Sequence, residues 1–128
     1  MKIHVDKTEK DMVYFSTEYG SGKGIWKGDK PILMQDCFVE FDIGKKYCFE
    51  EIIQETNGQY QIRLCEDVIS LTVLFEAYEE SGCATVRLGN SIFEIETNAD
   101  ERFRALVNSY VTLQAEELFI YDEGITNA

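Results

Sequence analysis

At 128 residues the chain has the size of one domain. A chain of that size buries roughly two thirds of its unfolded surface, so it needs no disulfide or metal staple. The formal net charge is −12, and it is unevenly placed: residues 1–63 hold 11 acidic and 9 basic side chains, net −2, whereas residues 64–128 hold 13 and 3, net −10. Such a half repels phosphate backbones and anionic membranes, and it suits a basic protein partner, a cation or simple solubility.

Cys37, Cys48, Cys65 and Cys83 lie 11, 17 and 18 residues apart and form no CxxC, so neither a metal set nor a redox motif is present. The opening stretch MKIHVDKTEKD has no apolar targeting segment, and no run approaches a membrane span. A cytoplasmic protein with reduced thiols, no cofactor and no membrane contact is the expectation.

Along the chain, residues 2–5 read as a short strand with Ile3 and Val5 inward and His4, the only histidine, exposed. Residues 12–19 alternate as a second strand. The stretch GSGKGIWKGDKP, residues 20–31, reads as a glycine-rich surface loop with Trp26 either folded back as a plug or offered for recognition. It is no phosphate loop, because Lys23 precedes Gly24 rather than Ser or Thr and no helix follows. Residues 37–43 form a strand with Cys37 buried in phase with Val39, Phe41 and Ile43, and with the carboxylates of Glu40 and Asp42 outward. A long hairpin follows over residues 46–66, turning at Asn57-Gly58 and pairing Ile53 with Ile62. It leaves Glu51 opposite Leu64, which a bulge near Glu50 would re-aim.

The most regular patterning runs from Val68 to Thr97, as three strands joined at Ser81-Gly82 and Gly89-Asn90. The first turn pairs Ala77 with Val86, Phe75 with Leu88 and Glu76 with Arg87; the second pairs Val86 with Phe93 and Ala84 with Ile95. Ile69, Leu71, Val73, Phe75 and Ala77 then face a core, while Leu74, Glu76, Tyr78, Thr85, Arg87, Ile92 and Glu94 share the other face. A short helix over about 99–107, capped by Asn98 or Asp100, carries Phe103, Leu106 and Val107 inward. Strands at 109–115 and 118–121 and a frayed acidic tail complete the chain.

The meander, the Ser81-Gly82 turn, VRLGNS at 86–91, the helix at 99–107 and YVTLQ at 110–114 together resemble the strand order of the OB-fold class, S1-like domains in particular. The resemblance implies a partly closed, OB-like β-barrel built on the last 60 or so residues. Taken with the patterning, the expectation is one mainly β domain, an antiparallel meander or partly closed barrel with a single short helix.

For function, no catalytic set is visible. The leading reading is a non-enzymatic protein-binding domain, of the kind of small acidic bacterial immunity proteins, with a basic partner or a homodimer. Its candidate binding residues are Trp26, Leu74, Glu76, Tyr78, Arg87, Ile92 and Glu94. The alternatives are an OB-type oligosaccharide or nucleic-acid binder, which this face serves poorly without a basic groove or stacked aromatics, and a carboxylate enzyme using Glu40, Asp42 or Glu51.

Overall fold

The computed structural model describes residues 1–29 and 33–123. It is mostly β, with a closed five-stranded mixed barrel and further strands laid beside it. The barrel strands are β1 (Lys2–Glu9), β2 (Met12–Thr17), β3 (Gly20–Lys27), β4 (Asp36–Asp42) and β12 (Phe119–Asp122). They run in the order β12-β4-β1-β2-β3, and a parallel pairing of β3 with β12, Ile25 to Phe119 and Trp26 to Ile120, closes the ring. Ile3, Val5, Val13, Phe15, Val39, Phe41 and Ile120 fill it. Phe15 and Phe41 stack with centroids 5.6 Å apart.

The glycine-rich stretch is therefore a barrel strand, not a loop, over residues 20–27; Lys30 and Pro31 lie outside the described residues. The reason is volume. A Cβ on Gly22 would sit 3.0 Å from Phe15 Cζ, and one on Gly24 would sit 2.7 Å from the Leu118 carbonyl oxygen and 2.8 Å from Ile120 Cδ1. In so narrow a barrel two inward positions have no room for a side chain, and glycine in a strand marks such a close approach. Trp26, the next inward position, is 7% exposed, and its indole N–H donates to the Asp29 carbonyl.

The second sheet is organised on β8 (Val68–Tyr78). Along one edge β8 pairs first with β7 (Gln61–Cys65) and then with β9 (Cys83–Leu88); along the other it pairs with β11 (Ser109–Ala115). Beyond β9 lies β10 (Ser91–Thr97), and β5 (Lys46–Tyr47) joins β10 in parallel at Glu96 and Thr97 only. Beyond β11 lies β6 (Ile53–Glu55). The inner face (Leu71, Val73, Phe75, Val86, Leu88, Phe93, Ile95, Val111, Leu113) is buried. It meets the barrel, as where Phe93 packs edge-on against Phe41. The sheets join at the β2–β3 turn, where Ile62 N–H donates to the Tyr19 carbonyl, and Lys23 reaches Asp67 at 2.9 Å.

The meander is present with its second turn in the expected register, Val86 to Phe93 and Ala84 to Ile95. Its first turn is not. Phe75 pairs with Val86 and Ala77 with Thr85, with a bulge at Glu76 between them. The extra residue reverses the facing of all that follows, so Ala77 is exposed rather than in the core, and Tyr78 turns to the inner side, where its ring lies 5.6 Å from Phe103 and its hydroxyl donates to the Asp100 carbonyl.

The expected helix is a six-residue 3₁₀ turn, Glu101–Leu106, capped by the Asp100 side chain. Phe103 and Leu106 are three apart, the spacing a 3₁₀ turn superimposes, and both are buried. Val107 has already returned to extended ψ.

The hairpin over 46–66 does not form. β6 pairs with β11, β7 pairs with β8, and Phe49–Glu51 is a 3₁₀ turn that leaves Glu51 exposed rather than bulged beside Leu64. Gly58 lacks the positive φ that a two-residue hairpin turn demands. It is glycine because the Tyr110 ring lies on it: a Cβ there would come within 2.7 Å of the ring. The barrel itself sits in the first third of the chain closed by β12, not in residues 68–121, where β8 to β11 belong to the open second sheet. Cys37 is half-buried rather than buried. Of the acidic tail, Asp122 belongs to β12, and residues 124–128 lie outside the described part.

Candidate functional site

The outer face of the second sheet brings the candidate residues together. Strand pairing sets Glu55 beside Tyr110, Tyr110 beside Leu74, Leu74 beside Arg87 and Arg87 beside Ile92, one row across five strands. A parallel row holds Ile53, Thr112, Thr72 and Gln61. On the other side of the first, Thr85 faces Glu94. The face is open: Ile92 is 51% and Ile53 56% exposed, while Leu74, Tyr110 and Arg87 are half-buried.

Fixed contacts hold this surface. Arg87 donates to the Glu76 carboxylate, which the bulge swings toward it, and this bond raises the guanidinium pKa further. The Thr112 hydroxyl donates to Glu55 at 2.6 Å, so the bond between Thr72 and Thr112, 2.9 Å long, takes its proton from Thr72. At one corner Tyr60 stands between Tyr19 and Tyr110, with ring centroids 5.5 Å from each. Desolvation, before any neighbouring charge, pushes the hydroxyls of Tyr19 and Tyr60 up. The three rings form a partly apolar, partly hydrogen-bonding surface with few rotamers to freeze.

Of the seven residues the patterning singles out, Leu74, Glu76, Arg87, Ile92 and Glu94 do share this face. Trp26 is buried in the barrel, and Tyr78 lies on the inner side beyond the bulge. Sequence reasoning misses Tyr19, Tyr60, Tyr110, Glu55 and Thr112. Tyr110 carried a usable signal: it alternates with Val111 and Leu113, and placing that strand beside β8 sets it next to Leu74.

His4 is half-buried rather than exposed, and its Nδ1 lies 2.9 Å from Asp36 Oδ1. That bond, with help from Lys2, holds Asp36 below the usual carboxylate range. Ser16, paired with His4 across β1 and β2, donates its hydroxyl to the Asp6 carboxylate at 3.2 Å. Glu40 and Asp42 are exposed on β4, and Glu51 is tied to Lys45 at 2.7 Å, which lowers its pKa instead of raising it. Burial and then Glu94, 3.3 Å from its sulfur, push the Cys83 thiol up, the opposite of activation. Among the described residues no group of three or more His, Cys, Asp or Glu gathers as a metal site, and no helix is long and apolar enough to cross a membrane.

Two clefts open where the end of β4 and the start of β12 face the second sheet. One of about 690 Å³ lies between Phe119 of the barrel and Tyr47, Gln114 and Glu116; there the buried Tyr47 hydroxyl donates to the Gln114 carbonyl and is pushed far above its ordinary pKa by desolvation. The other, about 550 Å³, runs beside β10. Set against family models, curated proteins and solved structures, the chain finds no match.

Proposed function

We propose that the chain is a non-enzymatic protein-binding domain and that the outer face of its second sheet is the binding surface. The observation that supports this best is the open cross-strand row Glu55–Tyr110–Leu74–Arg87–Ile92 with the tyrosine trio at its corner. Tyr and Arg are the side chains that carry most binding energy at protein interfaces, and they do so in half-buried, preorganised settings such as these. Carboxylates outnumber cations here, which favours a basic partner and disfavours a nucleic-acid backbone.

The test is a pull-down from native lysate at low and high salt, with wild-type protein beside Tyr110→Ala and Arg87→Glu variants of verified fold. A basic partner retained by wild type, released by salt and lost from both variants supports the reading. A partner held equally by all three, or no partner under any condition, counts against it.

A further inference from the structure

We propose that β10 accepts an extended, basic segment of the partner as an added strand. This rests on the protein-binding reading and names how the partner engages. On one side β10 pairs with β9 from Ser91 to Glu96; on the other β5 meets it only at Glu96 and Thr97. Among the described residues no strand therefore pairs with Ser91–Ile95 on that side.

The Gly89-Asn90 turn makes Leu88 and Ser91 the hydrogen-bonded pair that closes the hairpin. Alternation then directs the backbone N–H and C=O of Ile92 and Glu94 away from β9, to the free edge. An unpaired row of this kind is a template for strand addition. The 550 Å³ cleft opens at the Glu94–Ile95 end of this edge, between Asp42, Ile43 and Gly44 at the end of β4 and Glu94, Ile95 and Glu96.

Charge selects the occupant. Asp42, Glu94 and Glu96 line the cleft against one cation, Lys46, and none of the three carboxylates forms an ion pair with a described residue. A second copy would bring another −12 chain, and antiparallel pairing about Glu94 would set that residue against itself. Alternating Lys or Arg on an incoming strand would instead meet Glu94 and Glu96. The neighbouring side chain of β10 is Ile92, the last member of the cross-strand row, so the added strand would extend the binding face rather than open a separate one.

The experiment uses the full chain and three synthetic heptapeptides: alternating Lys and Val, the same peptide N-methylated on alternate residues, and alternating Glu and Val. Binding is read by calorimetry and by amide exchange of Ile92 and Glu94. The expected result is that only the unmodified Lys/Val peptide binds, that it weakens at least tenfold from low to high salt, and that it slows exchange of those two amides at least tenfold. Ile92→Pro, which removes an outward N–H that the β9 ladder does not use, should abolish binding; if that variant is unfolded, Glu94→Lys with Glu96→Lys serves instead.

Equal binding of the N-methylated peptide, or no binding of the Lys/Val peptide, overturns strand addition. In the pull-down, a partner lost from Arg87→Glu but kept by Ile92→Pro overturns strand addition alone. A partner kept by both overturns the reading of the face as well.

Discussion

Gly24→Ala tests whether the glycine-rich stretch closes a barrel. The added Cβ would lie 2.7 Å from the Leu118 carbonyl oxygen and 2.8 Å from two carbons of Ile120. The isoleucine can adjust; the carbonyl cannot move freely, because it accepts the Ile25 N–H at 2.8 Å across the β3–β12 closure. Overpacking of this kind costs about 1–3 kcal/mol, and a backbone obstacle places it near the top of that range. The smaller entropy of the unfolded alanine chain offsets about 0.4–1 kcal/mol. The expected net loss is about 2 kcal/mol, which with a urea slope of about 1.5 kcal/mol per M lowers the midpoint by roughly 1.3 M. Trp26 is the chain's only tryptophan, sits in the barrel wall and pairs with Ile120, so its fluorescence reports the transition directly. Ser21→Ala, at an exposed position of the same strand, is the control and should stay within about 0.5 kcal/mol of wild type. If Gly24→Ala matches that control, the stretch does not pack as a barrel strand and the argument from missing volume fails.

Removing either partner of the Glu76–Arg87 pair, and then both, should give a double-mutant coupling of about 0.2–1 kcal/mol, the range for cross-strand pairs; no coupling in urea titrations would mean that the bulge, not the ion pair, holds Glu76. Gly58→Ala should push the Tyr110 ring off its seat and alter tyrosine emission, with a stability loss of about 1 kcal/mol or less because a ring can yield where a carbonyl cannot; unchanged emission would contradict the close approach. Tyrosinate absorbance should show Tyr19, Tyr47 and Tyr60 ionising above the ordinary tyrosine range. Their folded pKa values are raised, so the stability they contribute is complete below the unfolded tyrosine pKa and is lost as pH climbs through the folded values; seven tyrosines titrating together at the ordinary value would refute this. At the acid end Asp36, Glu50, Glu51, Asp67 and Asp100 are held low, chiefly by hydrogen bonds from His4, Arg102, Lys45, Lys23 and Arg102 respectively. Their contribution is present above the ordinary carboxylate range and fades as pH falls through and below it, so melting temperature should drop there, and a flat profile would show that these exposed pairs contribute nothing.

What was legible in the chain depended on how far apart in sequence the interacting residues lie. The turn at Gly89-Asn90 and the pairing it sets are local, and both are found as the pattern indicates. The bulge at Glu76 is not: an extra residue leaves no mark in an alternation already broken by Glu and Ala, yet it decides that Tyr78 packs inward while Glu76 stays beside Arg87. The barrel was hidden for a related reason. Its closure joins β3 to β12, nearly a hundred residues apart, and the inward positions that would have announced a strand are glycines precluded by packing from being anything larger. The same residue type then misleads twice. In GSGKG it looks like a loop and is a wall; at Asn57-Gly58 it looks like a hairpin turn and is the seat of a tyrosine ring. In each case glycine answers a contact made by a distant strand. The candidate site inherits this property: Leu74, Arg87 and Ile92 can be read from neighbouring strands, but Tyr110 and Glu55 reach them only because β11 and β6 return to the far edge of β8. A surface assembled from strands so far apart exists only in the closed fold, so losses of binding that track losses of stability say nothing about contact, and variants such as Arg87→Glu that leave the core intact are the ones that can.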